Sequence, residues 1–311
     1  MYYNKRTTKS VQRLYSSTTL ELTFLVLPSV IFIIIFNYIP LYGLLLPFEN
    51  YSPIKGLFRS EWVGISNFDF LFTSNTLWTI TRNTVLMNFL FIIFNTIFSV
   101  IFALFLFDLS RRFVKLYQTI MFFPYFMSWV IVSYVFLGFL DPDRGILNKM
   151  ITLIGGEQVL WYSEPKFWPF ILVLASVWKT AGYGAIIYYA GLVGNDPEYY
   201  EAAKIDGATK LQQMRHISIP LITPIITIVN ILAIGKVFYG DIGIFYNVTM
   251  NSPFLYPTTD VIDTYVLRAL KTLNDIGMSS AAGLYQAVCG FILVIVTNMT
   301  VRRISAQNSL F

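Results

Sequence analysis

Residues 22–48 read LTFLVLPSVIFIIIFNYIPLYGLLLPF, with no Asp, Glu, Lys or Arg between Glu21 and Glu49. A charge-free run of that length exceeds the ~20 residues a helix needs to cross the hydrocarbon of a bilayer, so it predicts a transmembrane helix. It is too long for a secretory h-region and no small-residue cleavage site follows it, so it reads as a retained span. Four further runs share its character: Asn83–Phe107, Leu116–Leu140, Ile217–Gly235 and Ile276–Val301. A sixth, Phe167–Val193, is broken only by Lys179. Across the 311 residues, 56% are hydrophobic, 17% aromatic and 13% charged, against about 25% charged in an ordinary soluble domain. The fold class these runs predict is an all-α membrane protein with six transmembrane helices. The spans fall at about 22–46, 84–107, 116–140, 167–193, 217–235 and 278–301 within a membrane domain 20–304, with tails over 1–19 and 305–311. What remains is connections, too little for a separate catalytic domain.

Charge sets the orientation. Twelve Lys and Arg lie before span one, in 108–115, in 194–216 and after Val301, while nine are spread over the longer segments 49–83, 141–166 and 236–275. The denser side is read as cytoplasmic, which places both termini inside. The net charge of +5 therefore reads as topology, and no basic stripe on a soluble face points to nucleic acid. Cys289, the single cysteine, lies in the last span with no disulfide partner and no companion ligand for a metal. His216, at the membrane edge, reads as an interfacial residue.

The cytoplasmic connection 194–215 differs in kind from the others. Asp196 is a good N-cap with Pro197 at the first helical position, and Gly207 is where a first helix can stop in the left-handed region. Thr209 followed by Gln212 has capping-box form, so a second helix is predicted to start at once. Ala202, Ala203 and Ala208 around the turn would let a partner surface approach closely, with Glu201, Lys204 and Asp206 able to pair at the rim. The segment thus reads either as a knob shaped for a socket or as a solvated amphipathic connector. Pro220 and Pro224 are expected to kink or loosen the start of the next span.

Glu201-Ala202-Ala203, then Asp206-Gly207-Ala208, then Ile217-Ser218-Ile219-Pro220 with Pro224 resemble the EAA signature of permease subunits of binding-protein-dependent ABC importers. The match spans about 24 residues in the predicted cytoplasmic loop before the next-to-last span; its one departure is Ile219 where leucine is usual. Pro124-Tyr125, Trp178-Lys179 to Tyr188, and Asp260-Val261-Ile262-Asp263-Thr264-Tyr265 resemble the branch of this maltose-type permease family that handles oligosaccharides and polysaccharides. Together the similar stretches cover most of 20–304. The resemblance implies a multi-pass protein of the bacterial cytoplasmic membrane. It would pair with a second permease subunit, two cytoplasmic ABC ATPase subunits and an extracellular lipid-anchored or periplasmic solute-binding protein to import a sugar by alternating access. It further implies a coupling helix that enters a groove on the ATPase, with Glu201, Ala202, Ala203, Asp206, Gly207, Ala208 and Pro220 as its signature. ATP and Mg would be held by the partner ATPase, leaving no cofactor and no catalytic residue here. The only Gly-Lys pair, Gly235-Lys236, is followed by Val237 and lacks a phosphate-loop pattern.

A sugar pathway needs hydrogen-bonding groups and aromatic faces. Candidates at mid-span depth are Asn88, Asn95, Trp129, Tyr134, Trp178, Tyr183 and Asn230, together with Ser133. An intramembrane Asn serves equally as an interhelical tie, and an aromatic as packing. Lys179 stands out because an intramembrane cation is costly; it could bond backbone carbonyls or snorkel, line the pathway, or pair with an acid such as Asp241. Segments 49–83 and 236–275, the latter with Tyr246, Asn251 and Tyr256, are expected to dock the binding protein and close an outer gate, or simply to close a loop. Permeases for a non-sugar solute and ion-coupled secondary transporters are the alternatives. The second is disfavoured because no carboxylate lies in the central part of any span. An embedded hydrolase would need a cluster of acids, a metal site or a nucleophile-base pair that the chain lacks.

Overall fold

The computed structural model describes residues 21–304 apart from Leu57 and Ser74, so the expected tails 1–19 and 305–311 lie outside the described residues. Its long helices are α1 (Glu21–Phe48), α2 (Thr76–Asp108), α3 (Arg111–Phe122), α4 (Trp129–Leu140) and α6 (Trp168–Val193), with a short α5 (Ile146–Leu153) before α6. They are followed by α7 (Glu198–Ile205), α8 (Lys210–Ile234), α9 (Ile262–Lys271) and α10 (Ile276–Ile304). A two-residue hairpin, β1 (Glu49–Asn50) with β2 (Glu61–Trp62), pairs antiparallel after α1.

Five helices among the described residues, α1, α2, α6, α8 and α10, are long and apolar enough to cross a membrane. The expected third span, 116–140, is not one helix. Residues 112–126 and 129–140 form a pair bent by 99°. The break falls at Phe123–Phe126, a short 3-10 turn containing Pro124, which has no N–H to continue an α-helix. Ser128 then caps the new helix, its Oγ accepting from the Ile131 N–H. A charge-free run conceals such a break, because composition registers apolarity and not direction.

Two further expectations need correction. Asn83 does not open the second span: α2 begins at Thr76 and carries Arg82 inside it, tolerated because its guanidinium donates to the Pro257 carbonyl at 2.8 Å. Nor is 236–275 a plain outer loop. Its Ile244, Phe245, Val248, Leu255 and Val261 are buried in the main core with Val132, Leu172 and Ala181. Gly243–Val248 forms a π-helical turn, too short to count as a span and therefore invisible to a length criterion.

Helix α6 is the centre of the packing. Trp168, Leu172, Ala175, Ala181, Ala185 and Leu192 along it are all fully buried. By contrast α1 buries none of its most apolar window and offers its side chains to lipid or to another membrane helix. Small residues let α6 approach its neighbours: a Cβ on Gly182 would sit 1.8 Å from the Met121 carbonyl oxygen, and one on Gly184 would sit 2.3 Å from Ser99 Oγ. Polar ties complete the contact. Ser99 donates to the Ala181 carbonyl at 3.0 Å, and Asn95 donates to Ser176 Oγ at 2.9 Å while accepting from Thr180 at 2.7 Å.

Since the atom facing Gly182 is backbone, it cannot rotate away. Gly182→Leu is expected to separate α6 from the end of α3 and to cost on the order of 1–3 kcal/mol or more, read as a lower Tm in detergent. Ala substitution at Gly138, which has nothing within 4 Å of a built Cβ, serves as the tolerant control.

Candidate functional site

The connection between α6 and α8 has the form the sequence predicts. The first helix starts one residue later than expected, with Pro197 at the N-cap and Glu198 as its first residue, while Asp196 Oδ1 accepts from the Glu198 N–H at 3.0 Å; α7 runs to Ile205. Gly207 adopts φ +77°, the left-handed region that favours glycine. The capping box is present, with Thr209 accepting from the Gln212 N–H and the Gln212 side chain accepting from the Thr209 N–H. Behind it the loop is anchored: Tyr200 packs on Phe107 at 5.2 Å and its hydroxyl meets Ser218 Oγ at 3.2 Å. Lys210 pairs with Asp108, and buried Gln213 donates to the Ala208 carbonyl at 3.0 Å. In front, Ile205 is 87% and Leu211 76% exposed. Glu201, Ala202 and Asp206 are exposed beside them, with Ala203 and Ala208 half-buried. The arrangement is a rigid, two-helix projection with apolar tips. It continues into α8 through a π turn at Met214–Ser218, directly before Pro220; that wider turn accommodates the N–H that Pro220 lacks.

Four of the eight pathway candidates come together. Asn88, Asn95, Tyr183 and Asn230 line a groove of about 340 Å³ between α2, α6 and α8. Sequence reasoning missed Thr96, Ser99, Thr180, Lys236 and Tyr239, which share the groove; the spacing of 88, 92, 95, 96 and 99 along one helical face was the available signal. The amides are also ties: Asn88 donates to the Val237 carbonyl at 2.9 Å, and Thr96 donates to Asn230 Oδ1 at 2.7 Å. Tyr134, on α4, is exposed. Trp178 lines a different and wholly apolar pocket of about 780 Å³ with Val135, Phe139 and Phe170. Neither lines the groove. Trp129 lies at the break in the middle of span three, as the first residue of α4.

Lys179 is 8% exposed. Its Nζ donates to the Tyr125 carbonyl at 2.7 Å and lies over the rings of Tyr125 at 5.4 Å and Trp129 at 5.3 Å. The alternative of an ion pair with Asp241 is not realised: Asp241 instead accepts from Trp129 Nε1 at 2.5 Å.

The segment Asp260–Tyr265 is a junction. Asp260 receives Arg268 at 2.6 Å and Thr264 at 2.8 Å, and its carbonyl accepts from Asn83 at 3.0 Å. The Arg268 guanidinium stacks 4.1 Å from the Tyr256 ring. Burial works against its charge, yet the hydrogen bond and the charge of Asp260 hold its pKa above the ordinary arginine value. Asp263 accepts from the Gly240 N–H at 2.6 Å and from Gln286 at 2.9 Å. Burial raises its pKa despite those donors. Among the described residues no group of three or more His, Cys, Asp or Glu is placed to hold a metal.

Residues 82–306 match the family described as the binding-protein-dependent transport system inner membrane component. The chain is 32% identical to the polygalacturonan/rhamnogalacturonan transport system permease protein YteP of Bacillus subtilis, over 91% of this chain and 88% of that one. It is 33% identical to protein LplB of the same organism, over 92% and 90%. Its fold is similar to a chain of a bacterial ABC transporter that imports the acidic polysaccharide alginate, with a TM-score of 0.83, 30% identity, and 97% and 100% of the two chains covered. It is likewise similar to the alginate transporter in complex with an alginate pentasaccharide-bound periplasmic protein, with a TM-score of 0.82, 29% identity, and 97% and 99% covered.

The Asp260–Arg268 pair supplies a stability test. Arg268→Met leaves a buried carboxylate without its cation and is expected to destabilise by about 3–5 kcal/mol, lowering Tm. Asp260→Asn combined with Arg268→Met is expected to recover much of that loss, and a double-mutant cycle with no coupling would refute it.

Proposed function

The chain belongs to the family of binding-protein-dependent transport system inner membrane components, and from that premise we propose that it is one permease subunit of an ATP-driven sugar or oligosaccharide importer. The relatives support the substrate class: YteP is named for polygalacturonan and rhamnogalacturonan, and the similar solved structures are of an importer of alginate. In this reading a second permease completes the pore, two cytoplasmic ATPases bind ATP with Mg, and an external binding protein delivers the saccharide. Both termini face the cytoplasm. The chain itself does no bond-breaking chemistry. A non-sugar solute is the second reading, favoured by 25% identity to the sn-glycerol-3-phosphate transport system permease protein UgpA of Salmonella typhimurium. The ion-coupled transporter gives way to the family assignment.

The observation that carries the mechanism is the 194–215 projection. Its rear face is bonded to α2 and α8, so it moves with the membrane helices, while Ile205, Leu211 and the Glu201–Ala203 surface are left free for a socket on the ATPase. Closure of the ATPases on ATP would then be transmitted as a rigid-body movement that exposes the groove between α2, α6 and α8 alternately to the two sides. Asn88, Asn95, Tyr183 and Asn230 line that passage. Lys179 acts as a structural cation that holds the break in span three, with Trp129 as its ring partner.

Gly207 tests the coupling role. No atom lies within 4 Å of a built Cβ there, so the position asks for a positive φ and for the N–H that donates to the Lys204 carbonyl at 3.1 Å, not for space. Gly207→Pro cannot reach positive φ and is expected to reduce ATP-dependent uptake at least tenfold while the subunit still inserts and ATP hydrolysis continues. Gly207→Asn, which tolerates the left-handed region, is expected to retain most uptake. Normal coupled uptake by Gly207→Pro in proteoliposomes would remove the coupling assignment.

A further inference from the structure

Resting on the reading of the α2, α6 and α8 groove as the saccharide passage, we infer that Lys236 is a specificity-determining residue that takes the carboxylate of an acidic, uronate-type saccharide. Lys236 lies two residues past the end of α8, exposed, on the wall of the groove. Among the described residues only Lys166, Lys210 and Arg268 form ion pairs; of the cations left without an acid, Lys236 is the one that lines the groove. Two carboxylates of the same 236–275 segment are committed elsewhere. Asp241 accepts from Trp129 Nε1 at 2.5 Å and from the Gly243 N–H at 2.7 Å. Asp263 accepts from the Gly240 N–H and from Gln286. The ammonium is therefore left with its charge uncompensated inside a groove whose other polar groups are amides and hydroxyls.

The backbone beneath Lys236 is fixed. Asn88 donates to the Val237 carbonyl at 2.9 Å and Gln286 donates to the Phe238 carbonyl at 2.7 Å. The Gly240 N–H is held by Asp263 at 2.6 Å. Three bonds from α2, α10 and α9 thus hold the strap 236–240, so the stem of Lys236 starts from a fixed point on the groove wall. The lining matches a carboxylated sugar in its proportions. Asn95, Thr96 and Asn230 offer donors and acceptors for hydroxyls, Tyr183 and Tyr239 offer faces for the ring, and one ammonium serves one carboxylate. A neutral sugar would gain nothing from that cation, so the ammonium favours the acidic saccharide by attraction.

The test uses the assembled importer, this chain with its second permease, ATPases and binding protein, in proteoliposomes. Uptake of a galacturonate trisaccharide is compared with uptake of its carboxyl-reduced, neutral counterpart. The acid-to-neutral uptake ratio is expected to exceed one in the unmodified complex, to fall about tenfold in Lys236→Gln, and to return in Lys236→Arg. A ratio that is the same in Lys236→Gln overturns the inference, as does a ratio that Lys236→Arg fails to restore when the complex assembles normally. An unmodified importer that takes up only the neutral sugar overturns it while leaving the sugar reading standing. One that takes up neither trisaccharide, nor any longer acidic or neutral oligosaccharide, overturns the saccharide reading itself.

Discussion

The contact of α6 with α2 and with the end of α3 is the constraint on which the rest of the molecule depends. In a bilayer the lipid is as apolar as leucine, so helices gain nothing by hiding apolar surface from one another and must associate by close packing and by polar ties. Gly182 and Gly184 remove the atoms that would keep the helices apart, and Ser99, Asn95, Ser176 and Thr180 supply the ties. The groove runs along the lip of this contact, so its lining is a by-product of the same packing. Asn95 both closes the α2–α6 interface and forms part of the wall.

The same rule explains the cation in the run Phe167–Val193. Breaking a helix at membrane depth frees carbonyls that lipid cannot satisfy. The turn at Phe123–Phe126 leaves the Tyr125 carbonyl to Lys179 Nζ, and the rings of Tyr125 and Trp129 surround the charge. Lysine and break explain each other: neither would be stable at that depth alone. Trp129 in turn holds Asp241, so the break, the cation and the 236–275 lobe form one connected structure. A Cβ at Gly243 would fall 2.1 Å from Trp129 Cδ1, which shows how closely the lobe is drawn in.

Much of this was legible in the sequence, and the failures share a cause. The five unbroken spans follow from long, nearly charge-free runs, because length and apolarity are what a bilayer selects. The projection was readable residue by residue, since Asp196, Gly207, Thr209 and Gln212 act through local backbone chemistry that needs no tertiary information. The 99° bend and the buried 243–261 lobe were not readable, because each depends on partners distant in sequence. Arg82 misled for the same reason: its bond to Pro257 lets a charge sit inside α2, where counting charges ends the span too soon. For the groove, Asn88, Asn95 and Asn230 could be placed on faces but not sorted into wall or tie, and they prove to be both. Lys236 entered the sequence reading only as a run boundary and as half of a Gly-Lys pair without a phosphate loop, because its place on the groove wall depends on how α8 packs against α2 and α6.

Helix α8 connects the two functional regions. At 1.5 Å per residue, Lys210–Ile234 spans about 37 Å. One end is continuous with the 194–215 projection and the other stops two residues before Lys236. A tilt imposed at the projection is therefore delivered at the groove without passing through a loop. Along the way the helix is tied to α2 at Asn230, by Thr96, and at its first residue Lys210, by Asp108, and its own start is loosened by the π turn at Met214–Ser218 and by Pro220 and Pro224. A rod that yields near its driven end and is pinned near its far end pivots about the pin. Under the proposed coupling, a tilt about Asn230 would leave the groove wall nearly fixed at that residue and move the cytoplasmic end of α8 most, where the projection meets the ATPase.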